Sequence, residues 1–239
     1  MARENRDWGY DRIAGALANL GYKVCDQTVG NVLQRHGLPP APERKRTTPW
    51  SAFIRIHLAL LVGTDFFTTE VLTLHYVLFF IHLESRRVDI AGITVHPDEP
   101  WMQQMARNVT MEGCGALRDC RYLLHDRDTK YTQSFRAIIA SGQVEPLVLP
   151  ARSPNLNAHA ERWVRSVKEE CLCKVILFGE RSLRRALGEY VEHFHAERNH
   201  QGKSNVLLFP RSADTRRDGP VQCRERLGRL LRYYHQEAA

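Results

Sequence analysis

The order of the apolar segments most limits how this chain can fold. After residue 54, three β-rich segments follow one another with only short polar breaks between them: Ile54–Phe67, Leu72–Leu83 and Arg87–Val95. A strand–helix alternation follows, and after it long amphipathic helical patterns. Consecutive strands that give way to strand–helix units are typical of an α/β domain. We therefore expect a mixed five-stranded sheet flanked by helices.

The alternating part contains clear signals for where elements begin. Asp98 ahead of Pro100 marks the start of a helix, because Asp is a favoured N-cap and Pro is tolerated in the first helical turn. A fourth strand is predicted at Arg121–Leu124 and a fifth at Val144–Leu149, with a helix at Thr132–Ala140 between them. Two longer helices are predicted after the fifth strand: Ala158–Leu172 and Ser182–Glu197.

The first 38 residues predict a small helical segment. Ile13, Leu17 and Leu20 form one helical stripe, and a second helix begins near Asp26. Two short helices around a tight connection outline a helix-turn-helix, although a plain helical hairpin has the same pattern. A Pro-rich basic linker is predicted over residues 39–53.

The charge distribution points to a polyanionic partner. The chain has 239 residues and a net charge of +7, divided as +3 over residues 1–50, −2 over 51–150 and +6 over 151–239. Basic flanks around an acidic centre fit a nucleic-acid binder, and a basic protein without such a partner fits equally well. Arg44, Lys45 and Arg46 in the linker are candidates for phosphate contacts, or they belong to a solvated tether. We expect a core over 54–210 and a basic helical tail over 211–239.

The cysteine pattern and hydropathy predict an intracellular protein. None of the six cysteines forms a CxxC pair, and no signal peptide is recognisable at the start. The longest apolar run, Val71–Leu83, is interrupted by His75 and His82 and is too short to span a bilayer. We expect neither a membrane nor a small-molecule substrate as partner.

Three acidic residues on separate elements are the candidate catalytic and metal-binding groups. Asp65 lies in an apolar strand, Asp126 follows the fourth strand, and Glu161 lies near the start of a long helix. Carboxylate oxygens are ligands that Mg²⁺ prefers, and two such ions about 3.5–4 Å apart activate phosphodiester chemistry. For each acid taken alone, an ion-paired or solvated carboxylate is the better explanation, and it fits Asp65 least well because that residue lies in an apolar strand.

These acids and the residues around them carry a resemblance to a known family. With 34 residues between Asp126 and Glu161, the series resembles the DDE catalytic core of retroviral-type integrases and bacterial insertion-sequence transposases. The motifs concerned are Thr64-Asp65-Phe-Phe, Asp126-Arg-Asp-Thr-Lys130-Tyr131, Pro154-Asn-Leu-Asn157-Ala-His-Ala-Glu161, Tyr190-Val-Glu-His-Phe-His195-Ala-Glu-Arg198-Asn-His200-Gln-Gly202 and the N-terminal Trp8-Gly-Tyr10-Asp-Arg12-Ile13. The transposase branch fits better, because no C-terminal β-barrel of the retroviral type is recognisable.

The resemblance implies a ribonuclease H-like fold, two Mg²⁺ or Mn²⁺ ions, and DNA strand cleavage and transfer. Asp65 would contact both ions, and Asp126 and Glu161 one each. It also implies DNA as the partner, a homo-oligomer on two DNA ends, and a bacterial, nucleoid-associated cytoplasmic location. Lys203 departs from the pattern, since relatives have a leucine there.

Lys168 and Arg165 are further candidates for DNA contacts. Lys168 lies seven residues after Glu161 and hence on nearly the same helix face, where the family's lysine holds a phosphate, and Arg165 is a weaker candidate. Asp128 is a rival for Asp126, but a role within its own loop is preferred. Two other functions stay open: a catalytically inactive DNA-binding remnant of a transposable element, and a ribonuclease H-like nuclease.

Overall fold

The chain divides into two compact units. The computed structural model describes residues 1–5, 8–38, 50–150, 157–211 and 219–236. One unit comprises Met1–Ile56 and the other His57–Ala239. Within the described residues, no helix combines the length and the apolar character needed to cross a bilayer.

The first unit contains the two predicted N-terminal helices. Helix α1 spans Tyr10–Asn19 and α2 spans Asp26–Arg35. Ile13 of α1 packs with Val29 and Leu33 of α2, because these apolar residues recur at helical spacing on facing sides. The helix pair is confirmed, and its role in DNA binding stays a prediction.

The junction after α2 differs from the sequence-based expectation. The pattern predicts a linker through residue 53 and a strand from Ile54, but helix α3 spans Trp50–His57 and a 3₁₀ turn follows at Leu58–Leu60. A short apolar run satisfies helical and strand spacing alike, so periodicity alone does not separate the two. Residues 39–49, with Arg44, Lys45 and Arg46, lie outside the described part of the chain.

A five-stranded mixed sheet forms the centre of the second unit. Its strands, in chain order, are β1 (Leu61–Val71), β2 (Thr73–His82), β3 (Val88–Thr94), β4 (Tyr122–His125) and β5 (Glu145–Val148). They lie in the order β3-β2-β1-β4-β5, antiparallel from β1 to β3 and parallel across β1, β4 and β5. The predicted ribonuclease H-like mixed sheet is confirmed, and the structure shows that β1 occupies its centre.

Helices cover both faces of this sheet. Helices α4 (Glu99–Val109) and α5 (Gln133–Ser141) cover one face, and α6 (Ala158–Glu170) and α7 (Gly179–Ala196) cover the other. The buried Trp163 of α6 fixes the second contact, with its ring centroid 4.4 Å from that of Phe79 on β2. As predicted, α4 begins after Asp98, whose side chain accepts a hydrogen bond from the backbone N–H of Trp101.

The C-terminal tail is a β-hairpin, and the predicted helical tail is wrong over its described residues. Strands β6 (Val221–Arg226) and β7 (Leu231–Gln236) pair antiparallel. Gly228 lies in the connecting turn with a φ of 65°, a left-handed conformation that glycine adopts without strain. Ion pairs from Arg224 and Arg226 to the buried Glu197 attach the hairpin to the end of α7. The pairing of β6 with β7 thus takes the place of the expected helix.

Candidate active site

The pairing of β1 with β4 places the first two predicted acids side by side. The parallel register aligns Gly63 with Leu124, so Asp65 and Asp126, each two residues further on, stand at the same level. Neighbouring strands lie about 4.8 Å apart, and residues at one level of a parallel pair point to the same face. The two carboxylates therefore come from adjacent backbones at the carboxyl end of β4.

The Asp65 carboxylate lies in a half-buried, acidic environment. Its Oδ1 accepts a hydrogen bond of 2.7 Å from the backbone N–H of Phe66. The pKa of Asp65 is raised to about 6. Burial is the main cause, the hydrogen bond from Phe66 opposes it, and the charges of Asp126, Glu161 and Asp128 add to the rise. A proton or a bound cation reduces the electrostatic repulsion on a carboxylate that is surrounded by like charges.

Helix α6 brings Glu161 to the same place. Gly63, Asp65 and Phe67 alternate onto one face of β1, and Trp163 packs on that face with its ring centroid 5.7 Å from that of Phe67. Glu161 lies two residues before Trp163 and is exposed, and its charge acts on Asp65. We call Asp65, Asp126 and Glu161 the acidic cluster because the charges of the other two act on Asp65; they do not form a ready-made metal site, and their catalytic role stays a prediction.

The donor set of this cluster suits a hard divalent cation. Carboxylate oxygens are what Mg²⁺ and Mn²⁺ bind, and the pKa of Asp65 is raised mainly by burial, with a further contribution from the charges of the neighbouring acids. Across the described ranges, no three His, Cys, Asp or Glu side chains already lie close enough to form a metal cluster. Asp126 Oδ1 accepts instead a 3.0 Å hydrogen bond from the backbone N–H of Asp128.

Asn157 is a member of the site to which the sequence analysis assigns no role. This buried residue immediately precedes α6, and its Nδ2 lies 3.4 Å from Asp65 Oδ2, which accepts the hydrogen bond. Its Oδ1 is buried with no hydrogen-bond partner among the described residues, and a Cβ on Gly63 would come within 3.0 Å of it. The missing side chain of Gly63 therefore leaves room for Asn157 beside Asp65. Two sequence signals point to Asn157: it belongs to the motif that contains Glu161, and it precedes α6 in the N-cap position.

The loop after β4 accounts for Asp128. Its Oδ2 lies 2.7 Å from Lys130 Nζ, and its Oδ1 accepts a hydrogen bond from the backbone N–H of Lys130. Burial opposes ionisation, but these bonds outweigh it and lower the pKa of Asp128. The preferred interpretation of Asp128 as a loop-stabilising residue agrees with this pairing.

Two buried aromatic side chains support the same loop. His125 lies 2.7 Å through Nδ1 from the carbonyl oxygen of Asp126, to which it donates. The His125 ring packs on that of Tyr131 at a centroid distance of 4.9 Å. Burial, followed by the charges of Asp65, Asp126 and Asp128, raises the pKa of the Tyr131 hydroxyl. The packing of His125 and Tyr131 thus supports the loop that carries Asp126.

The predicted DNA-contacting residues of α6 point in different directions. Lys168 Nζ lies 5.9 Å from the centroid of the Phe67 ring, and Phe67 is two residues beyond Asp65 on the same face. Lys168 is thus directed toward the strand that carries Asp65. Arg165 is exposed and lines a cleft on the neighbouring side of the helix.

Comparison with known proteins gives similarities among solved structures alone. No family model matches the chain, and no curated protein matches it. The catalytic core domain of BIV integrase shares 13% identity at a TM-score of 0.44, covering 63% of this chain and 91% of that one. The catalytic domain of Mos1 mariner transposase shares 16% identity at 0.48, covering 59% and 74%. The HTLV-2 integrase catalytic core domain in complex with magnesium shares 9% identity at 0.44, covering 57% and 86%.

Proposed function

We propose that this chain is a DDE-type transposase, a polynucleotidyl transferase that cleaves DNA strands and joins them. The observation that carries the proposal is the alignment of Asp65 and Asp126 on adjacent parallel strands, with Glu161 close enough to act on the Asp65 carboxylate. Three convergent carboxylates on an apolar scaffold are costly unless they serve a cation.

Asp65, Asp126 and Glu161 would hold two Mg²⁺ or Mn²⁺ ions. Asp65 is the central ligand in this assignment, because the charges of both other acids act on it. When bound, such ions supply Lewis-acid activation of the attacking oxygen and stabilise the departing one. Asp65 must lose its proton before it can bind a cation.

The remaining residues of the site would orient the ligands and the strand. Asn157 fixes one oxygen of Asp65 through its amide, and the loop amide of Asp128 fixes one oxygen of Asp126. Lys168 would hold a phosphate beside the acids. In the first step water attacks the phosphorus, the bond from phosphorus to the 3′ oxygen breaks, and that oxygen takes up a proton to become a free 3′-hydroxyl. In the second step this 3′-hydroxyl loses its proton and attacks a target phosphodiester, forming a new P–O bond while the target's own bond from phosphorus to its 3′ oxygen breaks and that oxygen leaves as a hydroxyl. Neither step forms a covalent bond between protein and DNA.

The partners in this proposal are the DNA ends of a mobile element and a target DNA. Two ends must be held together for joining, which calls for a homo-oligomer on DNA. The cellular setting is the nucleoid of a bacterial cytoplasm. Arg44, Lys45 and Arg46 would add phosphate contacts from the linker.

A cleavage and joining assay tests the proposal. Purified protein is incubated with labelled DNA ends and Mg²⁺ or Mn²⁺, alongside Asp65→Asn, Asp126→Asn and Glu161→Gln. Each variant keeps its shape but loses a charge needed to hold a cation, so we expect cleavage to fall by at least about a thousandfold while DNA binding persists. Glu169→Gln, which changes an exposed acid of the same helix, is the matched control and should retain activity.

The other outcomes separate the competing functions. Cleavage without joined products would indicate a ribonuclease H-like nuclease. DNA binding without cleavage, and with no Mn²⁺-induced rise of the melting temperature, would indicate an inactive remnant. Near-wild-type cleavage by one of the three variants would remove that residue from the site.

A further inference from the structure

A basic cleft lies beside α6, apart from the acidic cluster. It has a volume of about 390 Å³ and lies between α6, the turn from β2 to β3, and the segment after α7. Five cationic side chains line it: Arg86, Arg162, Arg165, Arg198 and Lys203. Of the described residues that line the cleft, none is an Asp or Glu. A group of five cations with no acidic side chain in the same lining favours the binding of an anion.

Arg86 is the residue of the cleft that points most clearly to an anionic ligand. Its Nη1 is buried and has no hydrogen-bond partner among the described residues. Burial and the nearby charge of Arg162 lower the pKa of Arg86 to about 10. A buried charged donor without a partner is unfavourable, and an anion in the cleft would supply the partner.

Arg162 and Arg198, which line the same cleft, have different kinds of hydrogen-bond partner. Arg162 donates from Nε to the backbone oxygen of Ala158 at 3.1 Å, and its Nη2 lies 3.2 Å from His159 Nδ1, so both of these contacts are to uncharged groups. Arg198 is the exception, because it makes two hydrogen bonds of 2.9 and 2.6 Å to Glu170. Among the described residues, neither Arg86 nor Arg162 has an acidic side chain as a hydrogen-bond partner, so both guanidinium groups can serve an anionic ligand.

The ligand chemistry follows from these donors. Guanidinium groups present planar forks of N–H donors that match the oxygens of a phosphate. We propose that the cleft binds a phosphate of the DNA strand, next along the backbone from the reacting phosphodiester. This inference rests on the proposed function, since it takes DNA as the substrate.

The geometry of α6 connects the cleft to the acidic cluster. Glu161 and Arg162 are consecutive and hence about 100° apart around the helix, and Arg165 lies about 40° from Glu161. The cleft and the acids thus occupy neighbouring sides of one helix that is roughly 10 Å wide. A strand that contacts Glu161 would reach the cleft past Arg165, with no need to bend around the molecule.

DNA binding measured in EDTA tests the cleft without any catalysis. Fluorescence anisotropy over a salt series compares the wild-type protein with Arg86→Gln, Arg162→Gln and the double variant. We expect the double variant to bind DNA at least tenfold more weakly, with a salt slope reduced by about one for the phosphate lost. Arg107→Gln, an exposed residue of α4 on the opposite sheet face, is the control and should change affinity by less than twofold.

Thermal unfolding distinguishes a binding role from a structural one. Arg86 Nη1 has no hydrogen-bond partner to lose among the residues that the structure describes, so Arg86→Gln should unfold at the wild-type temperature or above it. A lower melting temperature with unchanged DNA affinity would overturn the proposal and make Arg86 a structural residue. Unchanged DNA affinity in the double variant would overturn it as well.

Inorganic phosphate identifies the source of the ligand. If phosphate raises the melting temperature of the wild-type protein but not of the double variant, while both bind DNA equally, the cleft takes free phosphate and the DNA assignment is wrong. Weaker DNA binding by the double variant supports the cleft even if the cleavage assay shows no activity. Intact cleavage with no effect of the cleft variants would instead leave the proposed function standing and remove the cleft from it.

Discussion

Asp65 is an acid whose surroundings oppose its own charge. It lies on an apolar strand, it is half-buried, and Asp126 and Glu161 add like charge. Binding of a cation would offset the cost of this buried, repelled charge, because the positive charge pairs with all three carboxylates. The same arrangement makes the metal-free protein less stable at neutral pH than it would be without the acid.

Replacing Asp65 by Asn should therefore stabilise the metal-free protein at high pH. The pKa of Asp65 is about 6 in the folded chain against an ordinary 3.8. The protonated side chain therefore contributes to stability in full below about pH 4, and this contribution is lost as the pH rises through 6. Urea denaturation in EDTA should show Asp65→Asn more stable than wild type at pH 8, by about 2 kcal/mol. The difference should shrink at pH 5.

Asp128→Asn provides the opposite control. Its pKa is lowered, chiefly by hydrogen bonds from Lys130 that outweigh burial, so the ionised form is the stabilising one. This variant should lose stability at pH 8 relative to wild type. If Asp65→Asn is no more stable than wild type at pH 8, the acidic cluster is not a site of charge conflict.

Lys168 should contribute to DNA binding and not to metal binding. Its ammonium group lies over the Phe67 ring. Lys168 is on nearly the same face of α6 as Glu161, but two turns further along the helix. Lys168→Ala should raise the DNA concentration for half-maximal activity about tenfold and leave the Mg²⁺ requirement unchanged. Lys168→Arg should restore much of the loss, because a phosphate contact needs charge above all. A shifted Mg²⁺ requirement with unchanged DNA affinity would place Lys168 among the metal-site residues instead.

At the scale of elements, the C-terminal hairpin is attached through ion pairs to the buried Glu197 and to Glu189 of α7. The side chain of Glu197 is fully buried, and it accepts hydrogen bonds from Arg226 at 2.9 and 2.8 Å and lies 3.2 Å from His193 Nδ1. Burial alone would raise the pKa of Glu197, but these bonds, led by those from Arg226, lower it to about 2. Its contribution to stability is complete above about pH 4.5 and is lost as the pH falls through 2.

Removing Arg226 should detach this hairpin. Arg226→Met leaves a buried charge without its main partner, which costs roughly 3 kcal/mol. Hydrogen exchange should accelerate at the amides of 221–236, and the free energy of unfolding should fall. Arg229→Met is the matched control, because its pair with Glu225 is exposed and should contribute less than about 1 kcal/mol. Equal effects of the two variants would show that the Glu197 cluster does not hold the hairpin.

At the scale of the whole molecule, the two compact units allow binding and chemistry to be separated. Deleting residues 1–46 leaves every strand of the five-stranded sheet in place, since β1 begins at Leu61. The truncated protein should stay folded, bind specific DNA ends more weakly and show a salt slope smaller by about 2.7, for three lost phosphate contacts. The full-length protein with Arg44, Lys45 and Arg46 all changed to Gln should reproduce the change in slope while keeping α1 and α2. An unchanged slope in both would exclude the linker from DNA contact.

The sequence by itself determined the order and type of most elements. Strand and helix periodicity are local properties, so β2 to β5 and α4 to α7 lie within a few residues of where the apolar patterns predict them. Patterning failed where local signals are ambiguous or absent. The apolar run at Trp50–His57 fits either period, and the tail forms a hairpin that ion pairs attach to Glu197.

Only the tertiary structure decided which distant residues meet. The register of β1 on β4 places Asp65 beside Asp126, and chain reversal brings Asn157 to Asp65 across 92 residues. The sequence singled out the three acids through their motifs but not Arg86, which lies in a turn between strands and lines the same cleft as Arg162 and Lys203. Separation along a chain does not specify distance in space, because packing of the sheet and its helices sets that distance.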